Sequence, residues 1–491
     1  MIKDIELNPQ FRKALELMEN SGKHIFITGK AGTGKSTLLE YFRSVTTKNI
    51  VVLAPTGVAA VNISGQTIHS FFGFRPDITV EKAKREARRR ASPLYMNLDA
   101  LIIDEISMVR ADLLDCIDQF LKINGKEPGA PFGGIQMIFI GDLYQIPPVV
   151  VGQEQYIFSD YYDSEYFFDS RVYADIDIEH LELEKIYRQT DQDFIDLLNK
   201  IRNKTISGED IELLNCRIID GSEILPEDSV YLTTTNAMAD DRNREELSKL
   251  PGKPEAFEAD VRGYIDRTQF PAEEQLLIKR DAQVMLLNND AEGRWINGTI
   301  GTIMQIWDKY LEVRLSNGRI EQVKPFKWDV YRFSWDAEKE AVAADNVGSF
   351  KQYPVKLAWA ITIHKSQGKT FDNVVIDLGR GAFASGQLYV ALSRCRSFKG
   401  IFLKSEIRES DVRVDYRVMK FITGRQYELS EERLPLDDKI SIIEEAIGNK
   451  AELEIVYLKN TDQKTQRVIR PLSVGTMDYR DRNFLGMTAF C

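Results

Sequence analysis

Gly29-Lys30-Ala31-Gly32-Thr33-Gly34-Lys35-Ser36 is a complete phosphate-cradling loop, and its flanks decide the fold. The apolar run His24-Ile25-Phe26-Ile27-Thr28 in front of it reads as a buried strand, and Ser36-Thr37-Leu38-Leu39-Glu40-Tyr41-Phe42 behind it reads as a helix. Glycines let backbone N–H groups wrap a polyphosphate, and the helix N-terminus adds positive dipole. In such a loop Lys35 reaches the β- and γ-phosphates while the Ser36 hydroxyl ligates Mg²⁺. A glycine-rich turn without a ligand would rarely fall between a strand and a helix. The stretch therefore implies nucleoside triphosphate binding on a strand–loop–helix unit.

Working outward, the same pattern recurs across residues 1–180. Apolar runs at 25–28, 50–54, 100–103 and 137–140 each end in a polar or glycine-bearing motif. These are the phosphate loop, Pro55-Thr56-Gly57, Asp104-Glu105 and Gly141-Asp142-Leu143-Tyr144-Gln145. Ligands of open α/β sheets lie beyond the carboxyl ends of the strands, so four motifs at four strand ends converge on one site. A second α/β domain is expected from 181–254 and 351–426, with strands at 230–236, 358–362, 374–377 and 400–403. It lacks a phosphate loop, which suits a partner that closes over the first domain's nucleotide. Residues 255–350 read as an all-β insertion with a hairpin turn at Asn317-Gly318. Residues 427–439, charged and proline-bearing, read as a linker, and 440–491 as a further small domain.

At 491 residues the chain has room for about three or four domains. Apolar content of 43% and charged content of 28% describe ordinary soluble globular material. No run approaches the roughly 18 apolar residues of a membrane span. Met1-Ile2-Lys3-Asp4-Ile5-Glu6 has neither a signal-peptide nor a transit-peptide pattern. Cys116, Cys216, Cys395 and Cys491 are scattered without a CxxC, which indicates neither zinc nor a disulfide framework and fits reducing cytosol. The net charge of −11 excludes a wholesale basic coat but not a local nucleic-acid stripe. Lys82, Lys84, Arg85, Arg88, Arg89 and Arg90 form such a cluster, as compatible with a solvated helix as with phosphate contacts.

Asp104-Glu105 follows its strand as the acidic pair opposite a phosphate loop should. Asp104 would hold Mg²⁺ and Glu105 would orient and deprotonate the attacking water. Arg188 and Arg394 carry forked, permanently ionised groups suited to a developing phosphoryl charge. From spacing alone a surface ion pair is the better reading of either arginine.

The motifs Gly29–Thr37, Ala54–Ala60, Thr67–Phe72, Asp104–Met108, Gly141–Val149, Ile363–Thr370 and Gly386–Arg394 occur in order. Together they resemble the series of the petite-integration-frequency (PIF) family of DNA helicases, superfamily 1 type B and RecD-like, over residues 7–425. The resemblance implies two RecA-like parallel-sheet domains, a small wedge insertion at about 74–97 and an SH3-like all-β insertion. It implies an ATP- and Mg²⁺-dependent helicase that moves 5′→3′ on single-stranded DNA and unwinds forked or tailed duplexes, with G-quadruplexes and RNA–DNA hybrids as further substrates. DNA repair, recombination and telomere-type maintenance are the family's settings. A monomer in isolation, no membrane and a cytoplasmic, nucleoid-associated location are the matching expectations.

Residue by residue, Gln10 would read the adenine edge. Gly29, Ala31, Gly32, Thr33, Gly34, Lys35, Ser36, Thr37 and Gly368 would hold the nucleotide, with Ser36 and Asp104 on the metal. Gln145 would sense the γ-phosphate, and Arg188 and Arg394 would be arginine fingers from the second domain. Pro55, Thr56, Gly57, His69, Ser70 and Phe71 would touch DNA from the first domain; Thr362, His364, Lys365, Ser366 and Gln367 would do so from the second. Asp193–Arg202 fits the family too and reads chiefly as a packed helix. Beyond the linker, Ile442–Ile447, Glu454–Tyr457 and Arg467–Leu472 resemble the start of a WYL domain. Asn483-Phe484-Leu485 stands where the namesake Trp-Tyr-Leu would be and the chain stops at Cys491, so an incomplete, unclosed barrel is expected. Two rival readings are an NTP-driven switch without strand separation and a nucleic-acid-binding regulator acting through its tail.

Overall fold

The computed structural model describes residues 6–75, 77–150, 158, 160–219, 225–263, 267, 270–458, 462, 464–479 and 482–490. The first lobe is a six-stranded parallel sheet: β1 (His24–Gly29), β2 (Ile50–Ala54), β3 (Gln66–Thr67), β4 (Ala100–Ile103), β5 (Gln136–Gly141) and β6 (Ile178–Leu183), in the order β3-β2-β4-β5-β1-β6. Every residue of β4 and β5 is buried, as a sheet covered on both faces requires. Helix α1 (Pro9–Asn20) starts where the Asn8 side chain accepts from Phe11 N–H at 2.8 Å, and it buries Phe11, Ala14 and Met18. Helix α2 (Lys35–Val45) opens directly from the phosphate loop and buries Leu38, Leu39 and Phe42.

The second lobe is a four-stranded parallel sheet in the order Ala360–Thr362, β7 (Val230–Thr233), Val374–Asp377, Ile401–Leu403. One apolar cluster runs from Phe26 and Phe139 of the first lobe to Leu232, Leu392 and Leu403 of the second, so the lobes share a core. The boundary expected at residue 180 is corrected: it would cut β6, which pairs along its whole length with β1. Its alternation of buried Ile178, Leu181 and Leu183 with Glu179 and Glu182 marks an edge strand, easily misread as surface.

The insertion has its own core of Leu276, Ile278, Val284, Trp295, Val313 and Val323 under a five-stranded sheet. Its hairpin turns where expected, with Gly318 at φ +82° between paired strands Leu311–Leu315 and Ile320–Val323. Not foreseen is a long antiparallel arm, Phe326–Asp336 with Ala341–Gln352. It crosses to the first lobe, where Phe333 N–H donates to Gln66 Oε1 at 3.3 Å and Val342 N–H to Asn49 Oδ1 at 3.3 Å.

The linker expected at 427–439 is corrected as well. Helices Tyr416–Arg433 and Leu436–Asn449 occupy nearly all of it, broken only around Pro435. Proline is tolerated where a helix begins, and i,i+3 pairing of Arg425 with Glu428 at 2.7 Å supports the charged run as helix. The first of these helices packs on the first lobe, with Phe421 stacked on Phe168 at 4.2 Å and Arg417 paired to Glu165 at 2.8 Å. The chain ends in an open three-stranded antiparallel sheet, Leu453–Leu458, Lys464–Tyr479 and Arg482–Phe490. Among the described residues no helix is long and apolar enough to cross a membrane.

Candidate functional site

Because β4, β5 and β1 are parallel neighbours, their carboxyl ends deliver Asp104, Gly141 and the phosphate loop to one edge. The loop reverses at Gly32 (φ +83°) and Gly34 (φ +86°), a region side chains rarely adopt. Lys35 folds back to donate from Nζ to Gly29 O at 2.6 Å and Lys30 O at 3.1 Å. Those carbonyls hold the ammonium where phosphate oxygens would take it over. The loop is clamped from two sides. Tyr187 N–H donates to Gly32 O at 2.8 Å, and Ala31 N–H donates to the Tyr389 hydroxyl of the second lobe at 3.0 Å. Ser36 and Thr37 are exposed at the start of α2. Gln10 and Glu184 hold each other, Gln10 Nε2 donating to Glu184 Oε2 at 2.9 Å and Glu184 N–H to Gln10 Oε1 at 3.1 Å.

Asp104 is buried and Glu105 half-buried beside the lysine. Burial, reinforced by Glu105, pushes the Asp104 carboxyl up to about 7; burial raises Glu105 too, against the pull of Lys35, Arg394 and Arg188. Glu105 also takes a left-handed backbone (φ +51°, ψ 44°), a strain typical of catalytic turns. A serine hydroxyl and a buried carboxylate are hard oxygen donors, the set Mg²⁺ takes alongside phosphate and water.

The pair has a stability consequence. A carboxyl whose folded pKa lies above its unfolded one makes the folded state bind the extra proton. Stability therefore falls as pH rises from about 4 to about 7 and levels off beyond. Asp104→Asn removes that penalty, so the metal- and nucleotide-free variant melts higher than the parent at pH 8 and no higher at pH 4, while losing hydrolysis. Thermal melts at the two pH values check this.

Arg394 is 1% exposed, its Nε donating to Val390 O at 3.0 Å and its Nη2 to Ser393 Oγ at 3.0 Å. Among the described residues no carboxylate lies in ion-pair distance, yet Glu105 and Asp142 both act on its charge. Arg188 donates to Ser393 O at 3.1 Å, and burial, then the neighbouring Arg394, lowers its pKa to about 9. Arg188 sits between the lobes: it follows β6, a Cβ at Gly32 would lie 2.5 Å from its own, and its guanidinium reaches Ser393 of the second lobe. Gln145 Nε2 donates to Asp142 Oδ2 at 3.3 Å, and its Oε1 accepts from Gln367 Nε2 of the second lobe at 3.4 Å. Gly386 lies against the same segment; a Cβ there would stand 2.6 Å from Gln145 O. Gly368 (φ +75°) is exposed in open space.

An open groove of about 890 Å³ lies between the first lobe and the arm, lined by Pro55, Gly57, His69 and Ser70 of the first lobe and by Arg332 and Phe333 of the arm. Thr56 caps the helix that follows it, accepting from Ala59 N–H at 3.3 Å. His364 and Gln367 are half-buried and Lys365 is exposed. Three expected DNA contacts are corrected. Phe71 is 5% exposed and packed edge-on against Phe72, Tyr95 and Phe333, leaving no face for a base. Ser366 is fully buried, its hydroxyl donating to Ile363 O at 2.6 Å, and Thr362 Oγ1 accepts from Lys365 N–H at 3.3 Å. Their hydroxyls shape the loop. The basic cluster of the wedge is helical over Val80–Arg89. Ala83 and Ala87 are its buried face, and Arg85, Arg88 and Arg89 point to solvent.

Sequence reasoning gave no role to Tyr389, which bridges the lobes, nor to Arg202. The signal for Arg202 was present. It continues the buried Phe194, Leu197, Leu198, Ile201 stripe, where a charge is out of place unless paired.

Residues 6–212 match the model of PIF1-like helicases, and 357–397 that of the UvrD-like helicase C-terminal domain. The ATP-dependent DNA helicase Pif1 of Bdellovibrio bacteriovorus is 34% identical over 430 residues, 86% of this chain and 92% of its own. The chain belongs to the PIF1-like helicase family. Human ATP-dependent DNA helicase PIF1 is 36% identical over 82% of the chain, which spans 61% of that longer relative. Among solved PIF1-like structures, Bacteroides Pif1 in complex with ADP-AlF4 superimposes with a TM-score of 0.77 at 34% identity, covering 87% of this chain and 98% of that one. The same helicase bound to ssDNA gives 0.62 at equal identity and coverage. This chain is thus an ATP-dependent DNA helicase by family, with two RecA-like lobes.

Proposed function

We propose that the chain couples ATP hydrolysis at the seam between its lobes to 5′→3′ movement along single-stranded DNA, parting duplexes with a 5′ tail. The carrying observation is the contact set across the seam. Tyr389 reaches the phosphate loop, Arg188 donates to Ser393 O, and Gln367 holds Gln145. Lys35 neutralises the phosphates; Arg188 and Arg394 stabilise charge developing in the transition state. Glu105, held proton-hungry by burial, takes the proton of the attacking water. Ser36 and Asp104 would hold Mg²⁺, which would supply positive charge to offset that of the phosphates.

Gln145 touches the catalytic edge on one side and the Ile363–Gln367 loop on the other. Loss of the γ-phosphate there shifts the DNA contacts of the second lobe relative to Pro55, Thr56, Gly57 and Ser70. Phosphate contacts of this kind grip without reading sequence. Relatives carry Pif1 structures bound to ssDNA and at forked dsDNA, which supports tailed and forked duplexes as substrates. Matched duplexes with either a 5′ or a 3′ tail test the reading. Unwinding of the 5′-tailed duplex alone is expected, and unwinding confined to the 3′ tail overturns the polarity.

A further inference from the structure

Asp462 lies between strands Leu453–Leu458 and Lys464–Tyr479 of the C-terminal sheet, with φ +57°. Its side chain is 4% exposed although that sheet is peripheral, with Val456 68% and Tyr457 55% exposed. The carboxylate is buried because polar side chains from both sides of the lobe seam close around it. Oδ2 accepts from Arg202 Nη1 at 3.2 Å and from the Tyr144 hydroxyl at 3.1 Å; Oδ1 accepts from Gln426 Nε2 at 3.0 Å. Asn203 Nδ2 donates to Asp462 O at 3.3 Å.

These partners belong to different bodies. Tyr144 follows β5 in the first lobe, in the segment that carries Gln145. Gln426 lies on the helix packed on that lobe. Arg202 and Asn203 end helix Gln192–Arg202, which packs on the second lobe through Phe194 against Phe398 and through the Gln387–Ser393 helix. Arg202 stacks on the Tyr144 ring at 3.8 Å, and its other carboxylate neighbour, Asp142, is at 3.9 Å. The guanidinium thus pairs with both carboxylates, and more closely with Asp462. Burial pulls the Arg202 guanidinium toward neutrality, but Asp142, Tyr144 and Asp462 more than reverse this, so it stays charged.

We propose that Asp462 is an intramolecular brake, clasping Tyr144 of one lobe to Arg202 of the other and resisting the lobe movement that hydrolysis requires until DNA and ATP release it. This rests on the lobe-closure reading above. A charged clasp buried at a seam resists displacement because separating its partners strands ions in low dielectric. The residues are not part of the phosphate or metal shell, so removing Asp462 leaves the chemistry intact.

The test compares steady-state ATP hydrolysis of the 491-residue chain with and without saturating oligo-dT, for wild type, Asp462→Ala and Asp462→Asn. Both variants should raise the DNA-free rate about tenfold, the scale of one charge-assisted contact, and leave the DNA-stimulated rate unchanged. In wild type, adding oligo-dT with a non-hydrolysable ATP analogue should speed hydrogen exchange across 453–458 and 464–479. An unchanged DNA-free rate overturns the brake, as does an equal fall in both rates, which would make Asp462 a support for Arg202. Unaltered or slowed exchange overturns release. A wild type without DNA-stimulated hydrolysis instead defeats the underlying motor reading, so the two failures are told apart.

Discussion

Arg394→Ala lowers DNA-stimulated ATP hydrolysis by about 10³-fold or more, the range set by other arginine fingers, which is about 4 kcal/mol of transition-state stabilisation. Nucleotide affinity changes far less, because the ground-state phosphates are already held by the loop and Lys35. The fold survives. Arg394 makes its hydrogen bonds to its own helix, at Val390 O and Ser393 Oγ, and is otherwise a buried cation without an ion-pair partner among the described residues. Removing such a group relieves desolvation while losing only local bonds. Arg394→Lys keeps the charge without the fork and should recover little of the rate. Single-turnover hydrolysis, nucleotide titration and a thermal melt on the same preparations separate the outcomes. A variant with near-normal turnover would remove Arg394 from the site.

Lys35→Ala abolishes hydrolysis and unwinding with the fold intact. Part of the effect is direct, since the ammonium that meets the β- and γ-phosphates is gone. Part is indirect, because Lys35 is a cation acting on both Asp104 and Glu105. Without it the Asp104 carboxyl rises above its already raised position, and less of it is ionised for metal at neutral pH. The nucleotide-free loop tolerates the change because Lys30 O keeps a bond from Thr33 Oγ1 at 2.9 Å and Tyr187 still holds Gly32 O at 2.8 Å. Retained, DNA-stimulated hydrolysis would contradict the assignment, and raising the Mg²⁺ concentration should not restore activity.

The parts of the site carried by contiguous residues were legible before any coordinates. A glycine loop between a strand and a helix, and an acidic pair or a Gly-Asp motif at a strand end, are local patterns whose geometry follows from a parallel sheet. The side chains within those motifs were harder to assign. In Ile363–Gln367 the motif shows which residues form the loop but not which face outward, and packing turned Ser366 and Thr362 inward. Phe71 is an aromatic residue in a DNA motif whose ring was claimed by Phe72, Tyr95 and the incoming arm. The charged stretch near Pro435 looked like a linker because composition cannot distinguish a solvated helix from a coil.

By itself the sequence determined a nucleotide-binding lobe, a second lobe without its own loop and a β insertion, because hydrophobic period, glycine placement and strand-end chemistry are written over short spans. Only the tertiary structure decided that Arg188 bridges the phosphate loop and Ser393, that the 326–352 arm crosses to Gln66 and Asn49, and that Asp462 meets Tyr144 318 positions away. Those contacts join residues with no shared local pattern. They exist because burying charge and aromatic surface at a seam is favourable only once both sides are folded and the buried groups find partners there.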